Sequence, residues 1–214
     1  NAGKSSLMNA LTDAHVSVND ALFETLDPTT RTLETTDGRY ILSDTVGFIR
    51  ALPHELVEAF RSTLDEAREA NLILHVADAS QPDDRREARA AAVETVLGEI
   101  GAEDVPRIMV LNKIDRVSDE DRVALRHRLP DAVQVSARTG EGLDELREAL
   151  ATFSRSLLTP IDVVVPYTQG GLVSTIFEVG RDVSQEAGDD GTHIRALVPP
   201  SHAARIRTAL LNGG

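Results

Sequence analysis

Three short groups of residues carry most of the chemistry this sequence could perform. Gly3-Lys4-Ser5-Ser6 stands at the mouth of a run, Ser5 to Leu11, in which Leu7, Met8 and Leu11 recur at helical spacing. Backbone N–H groups at a helix start cradle phosphate oxygens, a lysine there reaches the β- and γ-phosphates, and the Ser5 hydroxyl can ligate Mg²⁺. Asn1, Ala2 and Ser6 complete the half of a G-x-x-x-x-G-K-S/T loop visible here, whose opening glycine would precede Asn1. The second group, Asn112-Lys113-Ile114-Asp115, directly follows an apolar run ending at Leu111. A carboxylate at Asp115 can accept from both the ring N–H and the exocyclic amine of guanine, a donor pair that adenine does not present. Such a match discriminates strongly, because the wrong base leaves buried groups unpaired.

The third group is Asp44-Thr45-Val46-Gly47, after the run Tyr40–Ser43. Asp44 would hold Mg²⁺ through water, and the Gly47 N–H would meet the γ-phosphate. Thr29 and Thr30, read as loop, are candidates for a second protein ligand on Mg²⁺ beside Ser5. Lys4, Thr30 and Gly47 are therefore the catalytic candidates, and Ser5, Thr30 and Asp44 the metal ligands. Ser136-Ala137, after Val133–Val135, would complete a guanine pocket through a backbone N–H. With Asn112, Lys113 and Asp115 these residues form the nucleotide-binding set.

The elements that must position them alternate. Thr32–Thr36 and Arg39–Ser43 flank Asp37-Gly38, a hairpin turn signal. Residues 53–70 read as an amphipathic helix through Leu56, Phe60, Leu64 and Ala67. Leu72–Ala77, Arg107–Leu111 and Val133–Val135 read as strands, the first two as buried parallel ones. Helices over 84–100, from a Ser118 cap to about Leu129, and over 143–157 lie between and after them. This pattern predicts βαβ crossovers and a doubly wound, mostly parallel sheet, with ligands at the carboxyl ends of the strands, where every motif falls. Thr159-Pro160 breaks the pattern. The domains are therefore read as 1–158 and 159–214, the second a small α+β unit: a strand to Val165, a helix over 171–179, a hairpin across Gly188-Asp189-Asp190-Gly191, and a helix from Pro200.

Composition narrows the classes. The 214 residues include no cysteine, which removes disulfides, Fe–S clusters and thiolate zinc sites together. A net charge of −13 and 3% aromatic residues, with no tryptophan, argue against a DNA clamp or a base-stacking platform. Only the stretch after Gly191 is basic, with Arg195, Arg205 and Arg207 and no acid, read as a solvated helix face and strand edge. No apolar run reaches a membrane span and no signal peptide opens the chain, so the expectation is a cytoplasmic protein. His75, in a strand run, reads as a core histidine.

The order of these motifs resembles the translation-associated P-loop GTPases. Leu26-Asp27-Pro28-Thr29-Thr30-Arg31, Asp44-Thr45-Val46-Gly47-Phe48-Ile49 and Leu52-Pro53-His54 resemble the HflX family, a similarity that continues through Leu56–Ala67. The resemblance implies a P-loop NTPase fold and a Mg²⁺-dependent GTP hydrolase that binds the large ribosomal subunit and separates stalled ribosomes. A related GTPase in ribosome assembly or tRNA modification, or a nucleotide switch with little catalysis, are the alternatives. Asn1 resembles the asparagine that coordinates K⁺ in potassium-dependent relatives. Phe48 stands where many small GTPases carry a water-orienting glutamine, which implies slow unassisted hydrolysis. The family's pattern further implies a C-terminal fragment starting inside the phosphate loop. The strand feeding that loop would precede Asn1 and lie between the strand ending near Ser43 and Leu72–Ala77, so weak GTP binding is expected of this chain alone.

Overall fold

The computed structural model describes residues 2–12, 29–35, 38–44 and 66–212. It divides into two compact units, Asn1–Arg147 and Glu148–Gly214. Helix α1 spans Lys4–Thr12 and buries Leu7, Met8 and Leu11. Strands β1 (Thr29–Thr35) and β2 (Gly38–Asp44) form an antiparallel hairpin, as the Asp37-Gly38 signal predicts, although residues 36 and 37 lie outside the described set. Leu33 is buried under it and Ile41 faces outward. Of the helix expected over 53–70, residues 66–69 are helical, Ala70 is not, and 53–65 lie outside the described residues.

Strands β3 (Ile73–Asp78), β4 (Arg107–Asn112) and β5 (Val133–Gln134) make a parallel sheet in the order β3-β4-β5. Helix α2 (Asp83–Glu99) is the crossover from β3 to β4, and α3 (Asp119–Arg128) the crossover from β4 to β5. Helix α4 (Leu143–Ser156) follows β5. Alternation along β4 shows why both faces of this sheet are covered. Ile108 and Val110 pack with Leu74 and Val76 against Leu7 and Leu11 of α1 and Leu143 and Leu146 of α4. Met109 and Leu111 turn the other way, with Ala77, onto Leu125 of α3 and Ile114. A strand buried on both faces reads as a continuous apolar run, which is how Arg107–Leu111 appears in the sequence. Each large side chain so buried contributes roughly 1.5–3 kcal/mol of transfer free energy. The described sheet is thus doubly wound, as expected. The β1–β2 hairpin is a separate sheet, with Leu42 packed on the same core as β3.

Local chemistry sets the ends of α3. The Ser118 hydroxyl accepts from the Asp121 N–H, acids fill the first turn, and Arg126, His127 and Arg128 fill the last, all complementary to the helix dipole.

The second unit is antiparallel. Strands β6 (Thr159–Val165), β7 (Arg181–Gly188) and β8 (Gly191–Val198) run in the order β6-β8-β7. Ile161 and Val165 of β6 and Ile194, Ala196 and Val198 of β8 share one face, closed by Ile176 of α5 (Gly170–Val179) and Ala203 and Ile206 of α6 (Pro200–Asn212). Several strand limits differ from the reading above. Asp78 and Asn112 belong to their strands, and Thr159-Pro160 opens β6, opposite Val198 and Leu197, rather than standing before it. Pro160 is tolerated because β6 is an edge strand with one neighbour, where a missing N–H costs no second ladder. Within the basic stretch, Arg195 Nε donates across the sheet to Asp162 Oδ2 at 3.0 Å, and His193 lies 2.9 Å from Asp190 beside the turn.

Candidate functional site

The carboxyl ends of β3 and β4, the loop after β5 and the start of α1 converge. Gly3 enters α1 with φ +88°, and its carbonyl accepts the Leu7 N–H at 2.9 Å, closing the first helical turn. The first turn of the helix contains no acid of its own. Leu7 and Leu11 anchor the helix in the core, which aims its N-terminus. A Cβ at Gly3 would come 2.5 Å from Asn112 Nδ2, so only glycine fits both that φ and that neighbour. Ser5 Oγ donates to Asp44 Oδ2 at 2.6 Å, with Asp44 buried at the end of β2.

The base-binding candidates form a tighter constellation. Asn112 is 2% exposed, and both ends of its amide are committed to protein. Its Nδ2 donates to the Ala2 carbonyl at 2.9 Å, and its Oδ1 accepts the Ala137 N–H at 3.0 Å. Asn112 therefore ties the phosphate loop to the Ser136-Ala137 loop rather than reaching outward. Lys113 takes a left-handed conformation (φ 67°), and its Nζ pairs with Asp78 Oδ2 at 2.8 Å. Asp115 faces the Ser136-Ala137 loop. Its Oδ1 accepts from Ser136 Oγ at 2.6 Å, and its Oδ2 from Arg138 Nε at 2.9 Å.

The electrostatics keep both acids ionised. The Ser136 hydroxyl holds the Asp115 carboxyl below the usual carboxylate range; partial burial works against this and the Arg138 guanidinium with it. Burial of Asp78 opposes ionisation, but hydrogen bonds from Lys113 and Ser80 outweigh it, so its carboxyl also titrates low. An ionised Asp115 is acceptor-only, as reading two donors requires.

Thr30 is a correction. Expected in a loop, it lies within β1, exposed and opposite Ser43 in the ladder. Neighbours alternate across a strand, so Thr30 shares the face of Ser43 and not that of buried Asp44. The structure does not bring it to the Ser5–Asp44 pair, because the hairpin stays zipped as far as Thr29 and Asp44. Lys4 and Ser6 lie in the first turn of α1, which opens one residue earlier than expected. Asn1 and Gly47 lie outside the described residues, as do Phe48 and His54. Among the described residues no three acids or histidines gather into a metal cluster. His75 sits in β3, where burial pushes its imidazole below its ordinary value, as suits a neutral core histidine.

Sequence reasoning missed Asp78 and Arg138. Asp78 was hidden because the apolar run of β3 stops at Ala77, and Arg138 because nothing in a chain order shows which carboxylate a surface arginine meets. The one available signal was their position at the carboxyl ends of strands.

The sequence profile of the family described as 50S ribosome-binding GTPase matches residues 1–113. The GTPase HflX of Gluconacetobacter diazotrophicus is 44% identical over 211 residues, covering 98% of this chain and 46% of its own. That of Escherichia coli is 42% identical over 195 residues, covering 90% and 45%. Among solved structures, a GTP-binding protein from Sulfolobus solfataricus in complex with GDP superposes with a TM-score of 0.59 at 28% identity, over 73% of this chain and 50% of that one. The chain spans about half the length of the curated relatives it matches.

Proposed function

This chain belongs to the family of 50S ribosome-binding GTPases, on its HflX branch, and from that premise we propose that it binds guanine nucleotides and hydrolyses GTP to GDP and phosphate while engaged with the large ribosomal subunit. The observation that carries the reading is the convergence of Ala2-Gly3, Asn112, Asp115 and Ser136-Ala137 through direct hydrogen bonds. Phosphate loop and base pocket are thereby held at the two ends of one site.

In this reading the N-terminus of α1 and the Lys4 ammonium receive the phosphates. Asp115 accepts from the guanine ring N–H and amine, and the Ala137 loop closes the pocket beside them. Mg²⁺ fits the donor set: Ser5 Oγ and Asp44 Oδ2 are two hard oxygens 2.6 Å apart, and Mg²⁺ takes few protein ligands beside phosphates and water. When bound it would neutralise charge developing on the β- and γ-phosphate oxygens. Asp44 would hold it through water, and Gly47 would meet the γ-phosphate. Phe48 has neither donor nor acceptor and cannot orient the attacking water, so turnover should be slow until another group supplies that function. A K⁺ ion at Asn1, a cytoplasmic setting, and the separation of stalled ribosomes into subunits complete the proposal. Among the described residues no helix is long and apolar enough to cross a membrane.

Multiple-turnover phosphate release by the full-length protein, with and without 50S subunits, tests it. The expected result is a low basal rate that 50S subunits raise. Nucleotide binding with no turnover in either condition would reduce the protein to a switch module.

A further inference from the structure

Arg122 lies in the first turn of α3, and its side chain is 17% exposed. Its guanidinium spreads over three partners. Nη2 donates to the Ile114 carbonyl at 2.7 Å, Nε to the Val117 carbonyl at 3.1 Å, and Nη1 pairs with Glu141 Oε1 at 2.6 Å. Ile114 immediately precedes Asp115. On the other side the Glu141 carbonyl accepts the Ser136 N–H at 2.8 Å, and the Ser136 hydroxyl donates to Asp115. These contacts close a ring: Asp115, its peptide to Ile114, Arg122, Glu141, Ser136, and back to Asp115. The ring joins the two loops that make up the proposed base pocket and touches neither Ser5, Asp44 nor the start of α1.

We propose that Arg122 is a positioning residue for guanine recognition, holding the Asp115 carboxylate at the reach that both guanine donors require. The inference rests on the assignment of Asp115 as the base-reading group. Its chemistry is specific to arginine. A planar fork can meet two carbonyls and a carboxylate together, whereas a lysine ammonium at the end of a flexible stem cannot hold all three in fixed geometry. Loosening the ring weakens the contact most sensitive to carboxylate position, the one to the exocyclic amine.

The test compares GDP with IDP, whose base lacks that amine, by calorimetry on the full-length protein carrying Arg122→Ala or Arg122→Lys. The expected result is a fall in the preference for GDP over IDP of roughly tenfold for Arg122→Ala, the scale of one charge-assisted hydrogen bond. Arg122→Lys should lose a smaller part. The ratio of GTP to GDP affinity, set at the phosphate end, should stay unchanged. A purely structural arginine would lower the melting temperature and leave the GDP/IDP ratio at its wild-type value, and that result overturns the proposal. If Arg122→Ala does not fold, Arg122→Lys decides alone, an unchanged ratio counting against. A wild-type protein that fails to prefer GDP over IDP would instead overturn the assignment of Asp115.

Discussion

In the proposed function, Asp115 is the residue on which base choice turns. Its carboxylate offers about four acceptor directions. In the structure one is filled by the Ser136 hydroxyl, while Arg138 Nε and Nη2 both converge on Oδ2, at 2.9 and 2.7 Å. A guanidinium presents adjacent N–H groups in a plane, the same donor pattern as the N1–H and 2-amino edge of guanine. Arg138 is largely exposed, so a base bound as proposed would replace one pair of donors by a similar one. Replacing the acceptor by an amide should invert the preference. Asp115→Asn in the full-length protein is expected to weaken GDP binding by at least tenfold, about 1.4 kcal/mol, and to improve binding of xanthosine diphosphate, whose oxo group can take the amide proton. Competition of the two nucleotides for a fluorescent guanine probe would show it; an unchanged order of affinities would remove Asp115 from the base site.

At the level of elements, α3 matters beyond its place in the sheet's cover, because its first turn carries Arg122. The Ser118 cap fixes that turn, and Ser118→Ala should cost about 1 kcal/mol, read as a lowered urea midpoint with an unchanged slope. This helix also shows what was legible in advance. Its cap, its charge asymmetry and its end near Leu129 follow from residue types within a few positions of one another, and so did the apolar strands flanking it. The Gly3–Ser6 and Asn112–Asp115 groups stand out as candidates for the same reason: each is contiguous in sequence. What was not legible is whatever depends on contact between distant segments. Thr30 reads as loop because nothing around it in the chain reveals that residues 29–35 pair with 38–44 as far as Asp44. Lys113 reaches Asp78, and Arg122 reaches Glu141, across separations that periodicity does not address.

For the whole molecule, the relevant fact is two units with separate cores. Among the described residues, the core around Ile194, Val198 and Ile206 draws on positions 161 to 210, and that around Val110 and Leu146 on positions 7 to 146. Ile194 is fully buried, so Ile194→Ala should cost about 2–5 kcal/mol through transfer and cavity terms. Hydrogen exchange should then accelerate across β6, β7 and β8 and leave β3 and β4 at wild-type rates. Equal acceleration in both would mean that the chain opens as one cooperative body. Within the first unit, the amide of Asn112 has a wider consequence. Because one side chain grips both the Ala2 carbonyl and the Ala137 N–H, ordering either loop helps order the other. A nucleoside without phosphates, or pyrophosphate without a base, must restrain the shared joint alone and bear its full entropic cost. A ligand that carries both pieces restrains it once, so on the proposed function the whole nucleotide is expected to bind more tightly than its separate fragments would suggest, with no contact added.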